Sequence, residues 1–570
     1  MKKILFIFLF LIPVIFPLFT KEILGSADNL AHLFRLVNLD RSISEGNLFP
    51  RWAGLAGHGL GAPVFNFIYL LPYYLTELIH LLGFGFLLSS EIFMAITIIF
   101  SSFFMYLFLK EYLGEWASLV GSIVYAYIPY HLLSIYLYGD WGEILSFVVL
   151  PMLFWAVTKL SREPKRLWIF LTIVSYAAFI LTHNLFVLIS SVVLITFIPF
   201  MGYKNKKSLL FICYSLISAI LVTAWFWLPA LFESRYINYV KLAAEEAGKR
   251  NFFFQSVAPI VRNSLDLLLL KQPGYYSFAI GIPNLVIAIV SLLYCFIVKF
   301  SPRGFTPRGQ GEVTMKQCNH RIMIFSLFWF FFSLFLTRAS SAFLWNNIPG
   351  MNMVAYPYRF LFINTFMGAI LSGIFIDYLL KSPRSLKLKT FAFCLLIFAF
   401  IWQGFIYTRP KIDYFNFPTS YFQTEQTGIL APWTFKSMAY TEFLPPTADT
   451  DLLTKLDQTG EVLPKVEIIE GRGNIKVEKN ITEQLAFNIT SEEGTKVRVN
   501  TFYFPGWIGK IDQSPVLPGL EEDGRMSLNI PKGIHKVEVF FGGTPIRSTA
   551  KILSIVSLIF LSLIYFKRYI

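Results

Sequence analysis

The feature that most constrains this chain is the recurrence, along most of its 570 residues, of apolar runs about 16 to 22 residues long. A helix of that length matches the hydrocarbon thickness of a bilayer, and it satisfies its own backbone hydrogen bonds where no water can. Charged residues make up 15% of the chain, against roughly 25% in soluble domains. The sequence therefore predicts a polytopic α-helical membrane protein of about twelve spans.

The net charge of +14 would suit a nucleic-acid binder if it were gathered on a soluble module. Instead the basic residues fall in short loops between apolar runs: Lys159, Arg162, Lys165 and Arg166; Lys204, Lys206 and Lys207; Lys299, Arg303, Arg308, Lys316 and Arg321; Lys381, Arg384, Lys387 and Lys389; Lys567 and Arg568. That is the pattern of cytoplasmic loops, and it argues against nucleic acid as a partner. The four cysteines, Cys213, Cys295, Cys318 and Cys394, give no disulfide framework and are expected to be small buried hydrophobes.

Met1 to Lys3 is basic, and Ile4 to Thr20 is followed by no small-x-small cleavage pattern, so it reads as an uncleaved first span with a cytoplasmic N-terminus. Four apolar segments then precede the basic run at Lys159 to Arg166, and four crossings would put every later basic loop on the wrong face. Val64 to Leu82 is the weakest of them, carrying Asn66, Pro72, Glu77 and His80. It is expected to lie in the interface, held by Tyr69, Tyr73 and Tyr74, as part of a first outer loop over 21–83. The rival orientation, with Met1 outside, fits the charges nearly as well. The expected organisation is a transmembrane domain over 1–408, an extracytoplasmic domain over 409–548 and a C-terminal transmembrane helix over 549–570. From about Glu461 the period-two alternation in stretches such as KVRVNTFYF and KVEVFF predicts an antiparallel, sandwich-like β domain.

Candidate chemistry concentrates in the expected outer loops. If the stretch from Asp28 to Ile43 is helical, Asp28, His32 and Arg35 stand at i, i+4 and i+7 on one face. Asp28 also suits a helix N-cap. Arg51 and His58 stand beside Gly54, Gly57, Gly59 and Gly61, a density of glycine that lets backbone N–H groups approach an anion. Asp140 and Glu143 form a second acidic position, with His183 and Arg359 expected at the same face. Two carboxylates from separate loops suit either a shared substrate or a divalent metal, whose ligands would be Asp28 and Glu143. There is no convincing internal repeat, which weighs against a transporter of inverted halves.

An early acid followed by G-x-x-x-P-R-W (Gly46 to Trp52) and G-x-G-x-P (Gly59 to Pro63) resembles the bacterial membrane family labelled 6-pyruvoyl-tetrahydropterin synthase-related, and the neighbouring YfhO-type proteins. NMVAYPYRFL (Asn352 to Leu361), Thr441 to Pro445 and the tail from Phe502 to His535 are similar to further elements of those proteins. The pterin label implies little, because none of the seven histidines makes an H-x-H or H-x-x-x-H pair. What the resemblance implies is a GT-C membrane glycosyltransferase that takes a sugar from a polyprenyl-phosphate carrier and delivers it to an extracytoplasmic acceptor. Asp28 and Glu143 would then be catalytic, and His32, Arg35, Arg51, His58, Asp140, His183 and Arg359 would bind substrate. Beside it stand two other readings, a lipid-linked saccharide flippase and a non-catalytic envelope assembly protein. Carboxylates midway along spans would favour the flippase, and Asp377 is such a candidate.

Overall fold

The computed structural model describes every residue except 1, 20–26, 202–205, 240–241, 243–244, 246–247, 272–276, 301–309, 383–384, 409–440 and 567–570. Two compact units are present, each assembled from three chain segments: 1–29, 90–220 and 243–416 in the first, 30–89, 221–242 and 417–570 in the second.

Among the described residues six helices are long and apolar enough to cross a membrane: Phe86–Lys110, Trp141–Arg162, Asn184–Met201, Pro357–Lys381, Leu386–Thr408 and Pro545–Leu563. Three bent pairs bring the number to nine if each is one span: Glu115–Tyr127 with Pro129–Tyr138, Lys206–Val222 with Ala224–Tyr236, and His320–Leu336 with Ala339–Asn347. Three apolar helices are shorter, Ile7–Phe19, Arg166–Ile180 and Ile282–Phe296. Against about twelve expected crossings, the described residues thus hold six helices of spanning length, or up to nine. The Val64 to Leu82 stretch is instead two short helices, Val64–Phe67 and Leu71–His80. Ile68 is extended between them and Pro72 starts the second. Neither is long enough to span.

In the first unit the helix Leu361–Lys381 is central. It is buried continuously from Leu361 to Ile374, as a helix apolar on all sides must be. Its contact with Glu115–Tyr127 depends on small residues: a Cβ at Gly121 would lie 3.0 Å from the Ala369 carbonyl oxygen, and one at Gly373 would lie 3.4 Å from the Ala117 carbonyl oxygen. Asp377 sits in the last turn of the central helix, not midway along it. It accepts hydrogen bonds from the Gly114 amide (3.0 Å) and from Lys381 (2.6 Å). Gly114 precedes a helix and has no capping side chain, so its neighbour supplies the cap. The flippase reading thereby loses its candidate acid. Cys213 and Cys394 are exposed on apolar helices, where a small hydrophobe needs no burial, and the Cys318 side chain lies outside the described residues.

The second unit contains the expected antiparallel β domain, in two sheets. One has the order β1 (Val466–Glu470), β4 (Thr495–Phe502), β8 (Arg525–Ile530), β7 (Gly519–Leu520). The other has the order β2 (Gly473–Ile481), β3 (Gln484–Ser491), β9 (Gly533–Phe541), β5 (Trp507–Ile511), β6 (Ser514–Val516). Alternation buries Val497 and Val499 on β4, Leu485, Phe487 and Ile489 on β3, and Val537 and Val539 on β9. A Cβ at Gly509 on β5 would lie 3.1 Å from Leu528 on β8, so the two sheets meet there.

The same unit holds a buried ion pair. Glu233 accepts from Arg547 Nε and Nη2 at 3.0 and 2.9 Å, from Asn66 at 2.8 Å and from Thr544 at 2.6 Å. Arg547 also donates to the Gly542 and Pro505 carbonyls. Removing one partner of a buried pair leaves an uncompensated charge. Arg547→Met is therefore expected to destabilise this unit by about 3–5 kcal/mol, and the double variant with Glu233→Gln by less, as read by thermal unfolding of the purified chain.

Lys465 provides a pH signature. Its ammonium donates to the Gly59 (2.8 Å) and Asn500 (3.3 Å) carbonyls. Burial first, then the charge of Arg41, lowers its pKa from 10.5 to about 8. Between those values the unfolded chain holds a proton that the folded chain has shed, so stability rises with pH across that window. Lys465→Met is expected to flatten this rise in a series of unfolding midpoints.

Candidate functional site

Five of the nine sequence-predicted residues, Asp28, Asp140, Glu143, His183 and Arg359, belong to the first unit. The helix Ala27–Ser44 begins there, with Asp28 in its first turn, as the spacing predicts. Asn29 accepts a 2.9 Å hydrogen bond from the Trp141 indole, which fastens this first turn to the start of the Trp141–Arg162 helix.

That start is shaped by a π-helical turn over Ser134–Tyr138, closed by Gly139 in the left-handed region (φ 65°). Asp140 caps the next helix, accepting from the Gly142 (2.9 Å) and Glu143 (3.2 Å) amides. Glu143 is buried and accepts a 2.6 Å hydrogen bond from the Ser134 hydroxyl. The Tyr130 hydroxyl faces Glu143 as a second hydrogen-bonding and electrostatic neighbour.

His183 approaches from a third helix, Asn184–Phe197, which it caps. Its Nδ1 accepts from the Leu185 and Phe186 amides at 3.2 and 3.4 Å. An accepting Nδ1 puts the proton of the neutral ring on Nε2, the atom that lies 3.6 Å from Asp140. Burial holds the His183 pKa below its ordinary value although Asp140 pulls the other way, and Arg359 adds to the lowering.

Arg359 enters from the 3₁₀ turn Pro357–Phe360. It donates to the Val354 carbonyl at 2.8 Å and lies over the Tyr356 ring at 4.6 Å. Beside it, Tyr358 stacks on Phe278 (4.5 Å) and on Tyr356 (5.3 Å), and meets Tyr138 at 5.9 Å. Tyr358 lies in the electrostatic reach of Arg359, Glu143 and Asp28 together. An aromatic wall thus stands beside three carboxylates, an imidazole and a guanidinium. Ser134, Tyr130, Tyr138, Tyr358 and Phe278 were not singled out from the sequence. The one signal was the adjacency of Tyr138 to Asp140 and of Tyr358 to Arg359 in the sequence.

The other four predicted residues lie in the second unit. His32 shares a 2.6 Å hydrogen bond with the Tyr73 hydroxyl, and Arg35 reaches Tyr73 (3.5 Å) and Glu442 (3.3 Å). Burial opposes the Arg35 charge, but Tyr73, Glu442 and Tyr69 outweigh it and raise the pKa, so this arginine stays charged. Arg51 donates to Asn66 (2.6 Å) and to the Trp225 carbonyl (2.8 Å). His58 stands 2.9 Å from Asp457. Both are thus held in contacts within the unit. Among the described residues no group of three or more His, Cys, Asp or Glu side chains is gathered closely enough to hold a metal ion.

No family model matches the chain, and no curated protein is significantly similar to it. The resemblance to pterin-synthase-related and YfhO-type proteins thus rests on the quoted motifs alone. Among solved structures the chain is similar to the archaeal oligosaccharyltransferase AglB from Archaeoglobus fulgidus in complex with an inhibitory peptide and a dolichol-phosphate, at 14% identity, over 69% of this chain and with a TM-score of 0.38. The chain covers about half of that protein's length, 52%. At that level of likeness, function is left to the residues themselves.

The cap geometry is directly testable. Asp140→Asn keeps an acceptor for the two amides, whereas Asp140→Ala leaves them without it and is expected to cost about 0.5–2 kcal/mol. Unfolding midpoints of the two variants should differ accordingly, with asparagine close to the parent.

Proposed function

We propose that the chain is an integral membrane glycosyltransferase that transfers a sugar from a polyprenyl-phosphate donor to an acceptor outside the cytoplasm. The observation that carries this reading is the gathering of Asp28, Asp140, Glu143, His183 and Arg359 at the ends of apolar helices, against the Tyr138, Phe278 and Tyr358 rings. Glycosyl transfer to a hydroxyl needs a base for the acceptor proton and a cation for the departing phosphate. Asp28, exposed at the first turn of its helix, takes the first role. Arg359 takes the second, its guanidinium fixed by the Val354 carbonyl and the Tyr356 face.

Glu143 is a second acid whose orientation is set by Ser134, and His183 in its neutral form holds Asp140. Aromatic rings beside the site suit both a sugar face and a polyprenyl chain. The motif resemblance to GT-C-like membrane proteins points the same way, and the distribution of basic loops favours an N-terminus in the cytoplasm with the site and the β domain on the opposite side.

The test is transfer of labelled sugar from polyprenyl-phosphate donors by the purified chain in lipid nanodiscs. Asp28→Asn is expected to lower turnover about 10²–10⁴-fold with an unchanged unfolding midpoint, since asparagine keeps the shape of the side chain and an acceptor oxygen. Glu143→Gln, which keeps an acceptor for Ser134, is expected to lose activity while folding normally. Full activity in Asp28→Asn would overturn the catalytic assignment.

A further inference from the structure

The first unit buries a second polar group that the proposed chemistry does not use. Asn284, Asn364 and Gln403 are carboxamides at most 1% exposed, on three apolar helices that pack on one another: Ile282–Phe300, Leu361–Lys381 and Leu386–Gly404. Asn364 donates to the Phe330 carbonyl at 3.1 Å, and its Oδ1 has no partner. For Asn284 and Gln403, neither the oxygen nor the nitrogen has a partner among the described residues. Exchanging the two amide atoms therefore rescues neither side chain. In an apolar bundle such groups are costly unless something answers them.

The packing makes room for these amides. A Cβ at Gly281 would lie 2.4 Å from Gln403 Oε1, and one at Gly368 would lie 2.3 Å from Asn284 Oδ1. Gly281 and Asn284 share one turn, since the Leu285 amide donates to the Gly281 carbonyl, so Gln403 and Asn284 meet the same short segment. Asn364 and Gly368 are four residues apart and share a helix face. The Tyr407 hydroxyl, one turn beyond Gln403, is also buried without a partner.

This group adjoins the acid cluster. Phe278, three residues before Gly281, stacks on Tyr358, and Asn364 lies five residues beyond Arg359, about 8 Å along a helix axis. No charged side chain takes part, so neither a cation nor an anion is called for. A carboxamide offers a donor and an acceptor together, the complement of a hydroxyl group.

We propose that Asn284, Gln403 and Asn364 form an internal site for a neutral hydroxyl-bearing ligand, held between three apolar helices next to the acid cluster. Two sources supply that chemistry, ordered water and the hydroxyls of a sugar. The site stands whether or not the chain is a transferase.

An experimental density map of the full chain in lipid nanodiscs, at a resolution that shows ordered water, tests the proposal directly. Density within hydrogen-bond reach of the Asn284 and Gln403 amides is expected, and its absence from both overturns the site. Asn284→Leu and Gln403→Leu provide a second test. If a ligand answers the amides, each variant lowers the unfolding midpoint by at least about 2 °C. If nothing answers them, the midpoint holds or rises, because an apolar replacement relieves an unsatisfied group. Titration with glucose, mannose, galactose and N-acetylglucosamine separates the sources. A midpoint rise in the parent that both variants lose identifies the sugar, whereas no rise, or one that persists in the variants, identifies water. None of these readouts uses transfer activity, so they stand apart from the fate of the proposed reaction.

Discussion

An ionisable or hydrogen-bonding group buried in an apolar helix bundle must be answered by another group, and the internal organisation of both units follows from that requirement. Glu233 is answered by Arg547, Asn66 and Thr544, Asp377 by Lys381 and the Gly114 amide, and Glu143 by Ser134. Where bulk water cannot solvate it, each charge fixes the position of its partner and so the register of the elements that carry them. The asymmetry between a small net gain and a large penalty for a lost partner makes these pairs constraints on geometry more than sources of stability.

The candidate site shows the same rule applied to unequal partners. Asp140 serves as helix cap and as neighbour of His183, so one side chain orients two helices. Burial keeps His183 largely neutral and its Nδ1 is occupied by backbone amides, so the ring has one orientation available to it. Arg359 is likewise set by a carbonyl and a ring face. Such a constellation is preorganised, as the proposed stabilisation of a departing phosphate would require.

Part of this was legible beforehand. Apolar runs of bilayer length located most of the helices, and two-residue alternation located the strands. Asp28, Asp140, Glu143, His183 and Arg359 stood out because charge is scarce in such a chain. What was not legible was their neighbourhood. Asp28 with His32 and Arg35 read as one face of one helix, yet His32 and Arg35 are engaged by Tyr73 and Glu442 in a different compact unit from Asp28. Arg51 read as a phosphate fork, and its donors meet Asn66 and the Trp225 carbonyl. The partners in these cases lie far away in sequence, and a pattern confined to a few turns carries no trace of them.

The sequence by itself determined the class of protein. Apolar runs of bilayer length force helices, since only a helix or a closed barrel satisfies its backbone in lipid, and alternation in the tail forces strands with one buried face. Only the tertiary structure decided which polar groups answer one another. It set Asp377 as a cap for a neighbouring helix, made Arg547 the counter-ion of Glu233, and gathered three carboxamides between apolar helices. Periodicity is a local property of the chain, whereas the pairing of buried polar groups is settled by which helices pack together.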